Sequence, residues 1–433
     1  AWSREPIPTI RVQFSQRGEI MRKGLLFVAL IVLAAGCGGG GGGGGSTPPA
    51  GQSDGVERID AAMLDVMRRY SPPGIAVAVV RDGKLVFTAA YGNADLAGTV
   101  PLEPDHLFRV ASVSKPITGI AALRAAEEGL LDIEAKAFEI LAPYLPPSDA
   151  DSRIGDITVW HLMHHTGGWR LWGYPNDPLF RTKEIADDLG VAMPPSPQDL
   201  VRWLAKQPLS FDPGTDFNYT NIGYVALGRV VEQSTGFDYE DFVQRFVLEP
   251  AGITTARLGG ITREERFPEE VEYESFRDRI WKSVYDGVTV VDEPAYGGIN
   301  LFGFDASSAW AISAVDMARL AAATDGAETY PDVITRESFR TMTRVGTPPG
   351  TPPVGVAWFL GTNAVGSTQE WNHSGGMPGT TSLLARLTSG VIVAVVSNTA
   401  RDGNFYSDLS GGLIDAVNGI SEWPETDLFP EYK

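Results

Sequence analysis

The sequence predicts an α+β fold, in which one antiparallel sheet is assembled from both ends of the folded chain and a mostly helical lobe lies between them. Strand-like apolar runs lie near both ends of this region, at residues 74–80, 84–92, 354–361, 369–376, 380–387 and 391–399. From Ser114 to about Val290 the pattern is mainly helical, broken by Pro and Gly. Helices segregated from an antiparallel sheet are typical of an α+β arrangement, and a cleft between two such lobes is a common ligand site.

The elements at the two chain ends follow from short-range patterns. Residues 57–70 place apolar side chains on one face of an amphipathic helix, and "RDG" joins the first two strand-like runs as a hairpin. Near the other end, "TSG" joins the last two runs tightly, and a final helix is predicted from about Tyr406 to Val417. The terminal helices are therefore expected on one face of the sheet.

Length, composition and charge limit the classes of protein that remain. The 433 residues are 43% hydrophobic, which allows a sizeable core in one large domain or two lobes. The formal net charge is −19, and Lys and Arg form no basic stripe. A nucleic-acid partner is therefore not expected, and the acidity is typical of a well-solvated surface.

The first residues divide into segments that precede the folded domain. Residues 1–20 show no organisation and are interpreted as an upstream non-structural segment. Residues 21–36 have a basic start and an apolar run of 11 residues, which suits a secretory signal and is too short to span a bilayer. The run ends in "LAAGC", which resembles a bacterial lipoprotein signal, so Cys37, the only cysteine, is expected to carry lipid. An ordinary signal peptide followed by a stray thiol is the alternative.

A flexible tether follows the predicted lipid site. Residues 37–55 are rich in Gly and cannot form a packed core, so the folded domain is predicted to cover residues 56–433, with its helical lobe at about 114–290. A lipid on Cys37 would anchor this domain to a membrane without spanning it. The expected location is the bacterial cell envelope, on the side facing the periplasm or the exterior.

The stretch "FRVASVSKPITG", residues 108–119, places two serines and a lysine just ahead of a helical pattern. Ser112 and Lys115 are three residues apart and can meet on one helix face, whereas Ser114 is adjacent to Lys115 and cannot. A serine is a weak nucleophile unless a base activates it, and a buried lysine with a lowered pKa can be that base. One S-x-x-K is expected by chance in a chain of this length, so a capped surface helix stays open as an alternative.

Two later motifs carry suitable partners for such a serine. Tyr219 and Asn221 follow a Pro-Gly turn, and residues two apart in an extended segment point the same way, so both side chains could enter one cleft. The strand-like stretch "WNHSGGMPG" provides glycines that let a carbonyl substrate approach a backbone N–H donor. The candidate substrate-binding residues in this stretch are His373, Ser374 and Gly375.

In order, S-x-x-K, Y-x-N and H-x-G resemble the motifs of the serine beta-lactamase and penicillin-binding superfamily, specifically its class C-like branch. That branch includes class C beta-lactamases, family VIII carboxylesterases, D-aminopeptidases and D-Ala-D-Ala carboxypeptidases. The resemblance covers residues from about 56 to 400, and "ITVWHLMHHTGGW" and "PGTDFNYTNIGYVALGRVVE" strengthen it. It implies a beta-lactamase/transpeptidase-like fold with the active site between the lobes, and no cofactor.

The resemblance also implies a role for each motif residue. Ser112 is the acylated nucleophile, and Lys115 helps to remove its proton. Tyr219 relays protons and later activates water, while Asn221 holds Lys115 and the substrate amide. The oxyanion hole is made by the backbone N–H groups of Ser112 and Gly376, and Lys115 and Tyr219 are expected to titrate as a coupled pair.

His373 stands where beta-lactamases and many penicillin-binding proteins have the lysine of K-T-G. A histidine is mostly neutral at pH 7 and attracts a substrate carboxylate weakly, so efficient beta-lactam hydrolysis is not expected. The predicted function is an ester- or amide-cleaving serine hydrolase, with carboxylesterase activity first. The alternatives are a D-amino-acid peptidase or amidase, a class C-type beta-lactamase, and a non-catalytic cell-wall binding protein.

Two further groups of side chains allow more than one interpretation. His161, His164 and His165 crowd together, but they lack the H-E-x-x-H spacing and a nearby carboxylate, so no metal site is predicted. Trp169 lies in the aromatic loop of residues 167–180. It is a candidate for the wall of an apolar substrate pocket, and packing between the lobes explains it equally well.

Overall fold

The computed structural model describes residues 55–144, 151–275, 280–361, 370–401 and 403–432. The predicted upstream segment, the signal peptide, Cys37 and the tether as far as residue 54 lie outside the described residues. Within the ranges described, no helix is long and apolar enough to cross a membrane.

The regular elements alternate along the chain as follows. The strands are β1 Gly74–Arg81, β2 Lys84–Gly92, β3 Phe108–Arg109, β4 Arg257–Leu258, β5 Trp310–Ile312, β6 Phe359–Gly361, β7 Glu370–Met377, β8 Thr380–Arg386 and β9 Ile392–Ser397. The α-helices are α1 Glu57–Tyr70, α2 Ser114–Glu127, α3 Ala137–Ile140, α4 Val159–Met163, α5 Thr182–Leu189, α6 Pro197–Leu204, α7 Asn221–Thr235, α8 Tyr239–Val243, α9 Asp305–Ser308, α10 Ala314–Ala322, α11 Arg336–Met342 and α12 Phe405–Asn418.

The main sheet joins the two ends of the folded chain. In the described part of the chain it has six antiparallel strands in the order β2-β1-β9-β8-β7-β6. The early hairpin meets the late strands between β1 and β9, where Val77 lies opposite Val395. The α+β fold and the antiparallel sheet built from both chain ends are therefore confirmed.

The two faces of this sheet are buried against different helices. On one face, Val77 and Val395 pack with residues of α1 and α12, including Met63 and Leu413. On the other face, alternate residues such as Ala78 join the core of the helical lobe. Both faces of the central strands are buried, which explains why β1 and β9 are apolar up to their last residues, Arg81 and Ser397, rather than alternating.

The helical lobe is shorter than predicted. Helices dominate from Ser114 to about residue 251, but the described residues between 252 and 304 form mainly turns, with only the short β4. Gly252 ends the last helical turn in a left-handed conformation, with φ 79°. The predicted extension of the helical lobe to residue 290 was therefore wrong. Glycines recur after Gly252, and glycine lowers the stability of a helix.

The predicted strand at residues 354–361 is also shorter in the structure. Only β6 is extended, because the chain turns back on itself within the run: Gly355 N–H donates to the Trp358 carbonyl at 2.8 Å, and Ala357 has φ 64°. The apolar residues of this turn are buried all the same. A continuous apolar run signals burial, and here burial occurs without a strand.

A second, three-stranded sheet leads into the turn that carries the candidate serine. Its order is β3-β5-β4, and Arg109 at the end of β3 lies opposite Ala311 of β5. The chain leaves β3, forms a short 3₁₀ turn over Ala111–Val113 and enters α2 at Ser114. Ser112 therefore lies at the junction between the sheet region and the helical lobe.

Candidate active site

The structure distinguishes the two serines of the first motif. Ser114 is fully buried, and its Oγ accepts a hydrogen bond from the Trp310 backbone N–H at 3.1 Å. Ser112 is only half-buried and lies in the 3₁₀ turn before α2. The preceding Ala111 has φ 49°, a conformation that is uncommon for a residue with a side chain and is found often at functional sites. Ser112 is therefore the serine that a substrate could reach.

The strand before Ser112 is held by a buried ion pair. Arg109 Nε lies 2.9 Å from Glu270 Oε1, and Arg109 also donates from Nη1 to the Ala295 carbonyl at 2.7 Å. Its guanidinium lies 4.6 Å from the centre of the Tyr273 ring. Arg109 at the end of β3 is thus tied to Glu270 and to the Ala295 carbonyl, and removing either charged partner would leave an uncompensated charge in the interior.

Lys115 lies beneath Ser112 and is fully buried. Its Nζ lies 3.1 Å from Ser112 Oγ, and it donates to Asn221 Oδ1 at 2.8 Å and to the Ser307 carbonyl at 2.9 Å. Burial lowers the pKa of Lys115 to about 7, and the charge of Asp177 opposes that change. In the neutral amine both N–H groups are taken by these two acceptors, so the lone pair is directed at Ser112 Oγ.

Tyr219 completes the group around the serine. Its hydroxyl is hydrogen-bonded to Ser112, and its ring centre lies 4.9 Å from Lys115 Nζ. Burial raises the pKa of Tyr219 far above its usual value, so the phenol keeps its proton at neutral pH. Burial thus moves the two pKa values in opposite directions, so near neutral pH Lys115 is suited to accept a proton and Tyr219 to donate one.

Asn221 is the first residue of α7 and links Lys115 to an acidic side chain. Its Oδ1 accepts from Lys115, while its Nδ2 donates to Asp177 Oδ2 at 2.8 Å. Asp177 precedes a short 3₁₀ helix, Pro178–Phe180, and its Oδ1 accepts from the Leu179 N–H at 3.0 Å. One Asn221 N–H is therefore engaged by Asp177, which differs from the expected contact with a substrate amide.

Asp177 was missed in the sequence because its signal has a simpler explanation. An Asp before Pro is typical of a helix N-cap, and Asp177 does cap the turn that follows it. Its second role, the contact with Asn221, joins residues 44 positions apart in the chain. Nothing in the local pattern indicates that contact.

An aromatic shell around Tyr219 was missed as well. The ring of His165 lies 4.3 Å from that of Tyr219, and its Nδ1 accepts from the Thr220 N–H at 3.1 Å. The Trp172 ring lies 4.6 Å from the Tyr219 ring on another side. Phe359 of β6 stacks nearly parallel to Tyr219 at 6.4 Å. These contacts fix the position of the phenol.

The crowded histidines each have a structural partner. His161 and Thr158 form a capping box at the start of α4, and His164 Nδ1 lies 2.8 Å from the Trp160 carbonyl oxygen. His165 supports Tyr219. Among the residues described, no group of three or more His, Cys, Asp or Glu side chains is placed to hold a metal ion.

Strand β7 supplies His373, which is buried and faces the same group. Its Nδ1 lies 2.7 Å from the Ser374 carbonyl oxygen, and because a carbonyl can only accept, Nδ1 carries the proton. Its Nε2 has no hydrogen-bond partner among the described residues. Burial, reinforced by the charge of Lys115, lowers the pKa of His373 to about 3, so the ring is neutral.

The remaining predicted residues of β7 have different positions. The Ser374 hydroxyl is hydrogen-bonded to Tyr406 of α12, on the opposite face of the sheet, so its predicted contact with substrate was wrong. Gly375 lies against the turn of residues 110–113 that carries Ser112, called the serine loop below: a Cβ at Gly375 would lie 2.2 Å from the Val110 carbonyl oxygen and 3.2 Å from Ser112 N. The next residue, Gly376, is exposed, with open space beside it.

Trp169 does not reach the cleft. It is buried in the core of the helical lobe, where its ring lies 6.0 Å from that of Phe138. The prediction that Trp169 binds substrate was therefore wrong, because the indole is enclosed by the lobe itself. Trp172, three residues later, is the tryptophan of this loop that contacts Tyr219.

Comparisons with known proteins identify the family. The profile of the Beta-lactamase family matches residues 59–411. Esterase EstB from Burkholderia gladioli is 33% identical over 201 residues, which is 45% of this chain and 50% of the esterase. Penicillin-binding protein 4* from Bacillus subtilis is 29% identical over 187 residues, which is 42% of this chain and 37% of that protein. The chain thus spans about half or less of the length of these curated relatives.

A solved structure supports the fold assignment. The D-amino acid amidase from Ochrobactrum anthropi superposes with a TM-score of 0.63 at 20% identity, over 84% of this chain and 99% of the amidase. At this identity the likeness establishes the fold alone. Since the family profile extends over most of the sequence, from α1 into α12, the chain belongs to the beta-lactamase family.

Proposed function

We propose that this protein is a serine hydrolase that cleaves an ester or amide through an acyl-enzyme on Ser112, with carboxylesterase activity as its main reaction. The observation that carries the proposal is the buried Lys115, whose Nζ lies 3.1 Å from Ser112 Oγ and whose pKa is lowered to about 7. Family membership and the similarity to Esterase EstB support it.

The residues around Ser112 divide the acylation step between them. Lys115 takes the Ser112 proton as Oγ attacks the substrate carbonyl, and backbone N–H groups of Ser112 and Gly376 stabilise the oxyanion. Tyr219 donates its proton to the leaving alcohol or amine and is reprotonated from Lys115. Water then attacks the acyl-enzyme with the same groups acting in reverse, which releases the acid and frees Ser112.

The neutral His373 is the reason to place esters before beta-lactams. The pKa of His373 is lowered to about 3 by burial, so the ring has no charge with which to attract a carboxylate. The corresponding lysine of K-T-G does carry such a charge. Substrates without a carboxylate next to the scissile bond are therefore expected to be preferred.

One observation favours a second candidate, an amidase acting on D-amino-acid amides. The unpartnered Nε2 of His373 is a buried acceptor, and an amide N–H is a donor that would satisfy it. The fold of the D-amino acid amidase from Ochrobactrum anthropi is compatible with this alternative.

The test compares kcat/KM of the purified protein for p-nitrophenyl butyrate, a D-amino-acid amide and a chromogenic cephalosporin. We expect ester turnover to exceed cephalosporin turnover and to be lost in Ser112→Ala. Ser114→Ala is the matched control, because the Ser114 hydroxyl accepts from the Trp310 N–H, so the variant should retain turnover per folded molecule. Turnover that survives in Ser112→Ala, or a preference for the cephalosporin, would contradict the proposal.

We also propose that Cys37 anchors the domain to the bacterial cell envelope. The support is the sequence "LAAGC" after an 11-residue apolar run and the Gly-rich residues that follow it. Labelled palmitate supplied to cells should be incorporated into the full chain and not into Cys37→Ala. Equal labelling of both chains would count against the anchor.

A further inference from the structure

We infer that Asp177 is a positioning residue for the proton transfer from Ser112: its carboxylate holds Asn221 in the one orientation that presents an acceptor oxygen to Lys115. The inference rests on the proposed function, since it concerns the activation of Ser112. It adds a carboxylate outside the three sequence motifs.

A continuous chain of hydrogen bonds connects the carboxylate to the serine. Asn221 Nδ2 donates to Asp177 Oδ2 at 2.8 Å, and Lys115 Nζ donates to Asn221 Oδ1 at 2.8 Å. Lys115 Nζ then lies 3.1 Å from Ser112 Oγ. Three of the four side chains, those of Asp177, Asn221 and Lys115, are buried. Solvent therefore does not replace these contacts easily.

The chemistry of the two partners explains why a carboxylate is needed. An amide side chain has one donor end and one acceptor end, and rotation about its last bond would turn the donor toward Lys115. An ionised carboxylate can only accept, so Asp177 binds the nitrogen end and leaves the oxygen end for Lys115. The Leu179 N–H fixes the second carboxylate oxygen at 3.0 Å, so Asp177 itself cannot rotate freely.

The charge of Asp177 acts on Lys115 as well. The carboxylate is the group whose charge favours the ammonium form, and it partly offsets the effect of burial on the Lys115 pKa. The other ionisable groups near Lys115 are neutral at pH 7, because burial lowers the pKa of both histidines and raises the pKa of both tyrosines. These neutral groups are His165, His373, Tyr219 and Tyr224.

The arrangement predicts two ionisations on the acid side of the pH profile. Burial raises the pKa of Asp177 to about 6, and a protonated Asp177 would no longer hold Asn221 as a pure acceptor. For Ser112 to be activated, Lys115 must have lost its proton and Asp177 must be ionised. The rate of Ser112 activation should therefore fall with a slope of one just below pH 7, and more steeply, by up to about a further tenfold, as Asp177 is protonated near pH 6.

The experiment measures how fast a fluorophosphonate labels Ser112 between pH 5 and 9, followed by intact mass. Labelling forms a Ser112 Oγ–P bond and releases fluoride from phosphorus, while Lys115 takes the serine proton. The reaction reports on serine activation whatever the natural substrate is. The comparison uses the full chain, Asp177→Asn and the control Asp316→Asn.

In Asp177→Asn we expect labelling at pH 8 to fall about tenfold, the effect of losing about one buried hydrogen bond. The acid limb should keep a slope of one and move to lower pH by roughly one unit, because the charge that favours protonated Lys115 is gone. Asp316 is partly buried and also has a raised pKa, but its partners are Thr255, Ser313 and Arg319. Asp316→Asn should therefore leave the profile unchanged.

Three other outcomes would overturn the inference, and they distinguish its failure from the failure of the proposed function. If Asp177→Asn folds and labels with the wild-type slope and midpoint, Asp177 has no positioning role and the proposed function stands. If wild-type Ser112 is not labelled at any pH, the proposed function fails as well. Should Asp177→Asn fail to fold, the wild-type profile decides, and a single ionisation down to pH 5 overturns the inference.

Discussion

The chemistry of single residues in this protein is decided by burial. Lys115 and His373 are both buried bases, and burial lowers the pKa of each, Lys115 to about 7 and His373 to about 3. The same effect has different consequences. An amine with a pKa of about 7 is a useful base near neutral pH, whereas an imidazole with a pKa of about 3 is uncharged there. Lys115 is thereby suited to proton transfer, and His373 to contact with substrate as an uncharged side chain.

The role of Lys115 predicts the effect of replacing it. Lys115→Met keeps an unbranched side chain but removes the base, so kcat/KM for p-nitrophenyl butyrate should fall at least ~10³-fold, the scale of general-base catalysis. The matched control is Lys183→Met on the surface of α5, where the lysine pairs with Asp187, and its kcat/KM should be unchanged. Substantial turnover by Lys115→Met would mean that another group removes the serine proton.

Neutral recognition at His373 predicts a change in substrate preference. In His373→Lys, an ammonium should raise the ratio of kcat/KM for a carboxylate-bearing ester to that for its methyl ester by about tenfold, since charge-assisted hydrogen bonds exceed neutral ones. His373→Gln keeps a neutral acceptor and should leave the ratio near the wild-type value. Steady-state kinetics on the two esters measure it, and an equal ratio in all three proteins would refute this account of the position.

At the scale of elements, the site depends on how closely β7 passes the serine loop. Gly375 lies opposite Ser382 of β8, and the Ser382 hydroxyl donates to the Val110 carbonyl at 2.9 Å. A side chain at Gly375 would collide with both of these partners. The absence of a side chain therefore sets the distance between the strand and the turn that carries Ser112.

This close approach predicts the result of adding one methyl group. Gly375→Ala should displace β7 from the serine loop and lower kcat/KM about 10²-fold, because a shift of about 1 Å in a catalytic geometry costs that much. Gly411→Ala, in α12, adds the same methyl group where nothing lies within 4 Å, and its turnover should be unchanged. Ester kinetics with a thermal-melting check separate misplacement from unfolding, and wild-type kinetics in Gly375→Ala would contradict the prediction.

For the whole molecule, the two ends of the folded chain are structurally interdependent. Helices α1 and α12 pack together over one face of the sheet, and the Tyr70 and Phe405 rings lie 5.3 Å apart. The hairpin β1-β2 is joined to the late strands through β9. The sheet that carries His373 and Gly375 is therefore complete only once β9 has joined it, and α12 then covers one of its faces.

That dependence predicts a large effect far from the active site. Leu413→Ala in α12 should lower the free energy of unfolding by about 2–5 kcal/mol, because it leaves a cavity between the helix and the sheet. Leu64→Ala in α1 makes the same change where the side chain is 53% exposed, so its effect should be within about 0.5 kcal/mol. Urea unfolding measures the free energy of unfolding of both variants, and equal effects would show that the terminal helices are not tightly packed against the sheet.

The sequence by itself determined most elements at both chain ends, the antiparallel sheet and the family, and it indicated Ser112 rather than Ser114. The elements and the choice of serine follow from local spacing, since residues three apart share a helix face and apolar runs next to tight turns form hairpins. The family follows from the resemblance of the three motifs. Only the tertiary structure decided that Asp177 contacts Asn221, that Trp169 is enclosed by its own lobe and that Ser374 faces α12. Contacts between distant residues, and the burial that lowers the Lys115 pKa, arise from packing, which no local pattern records.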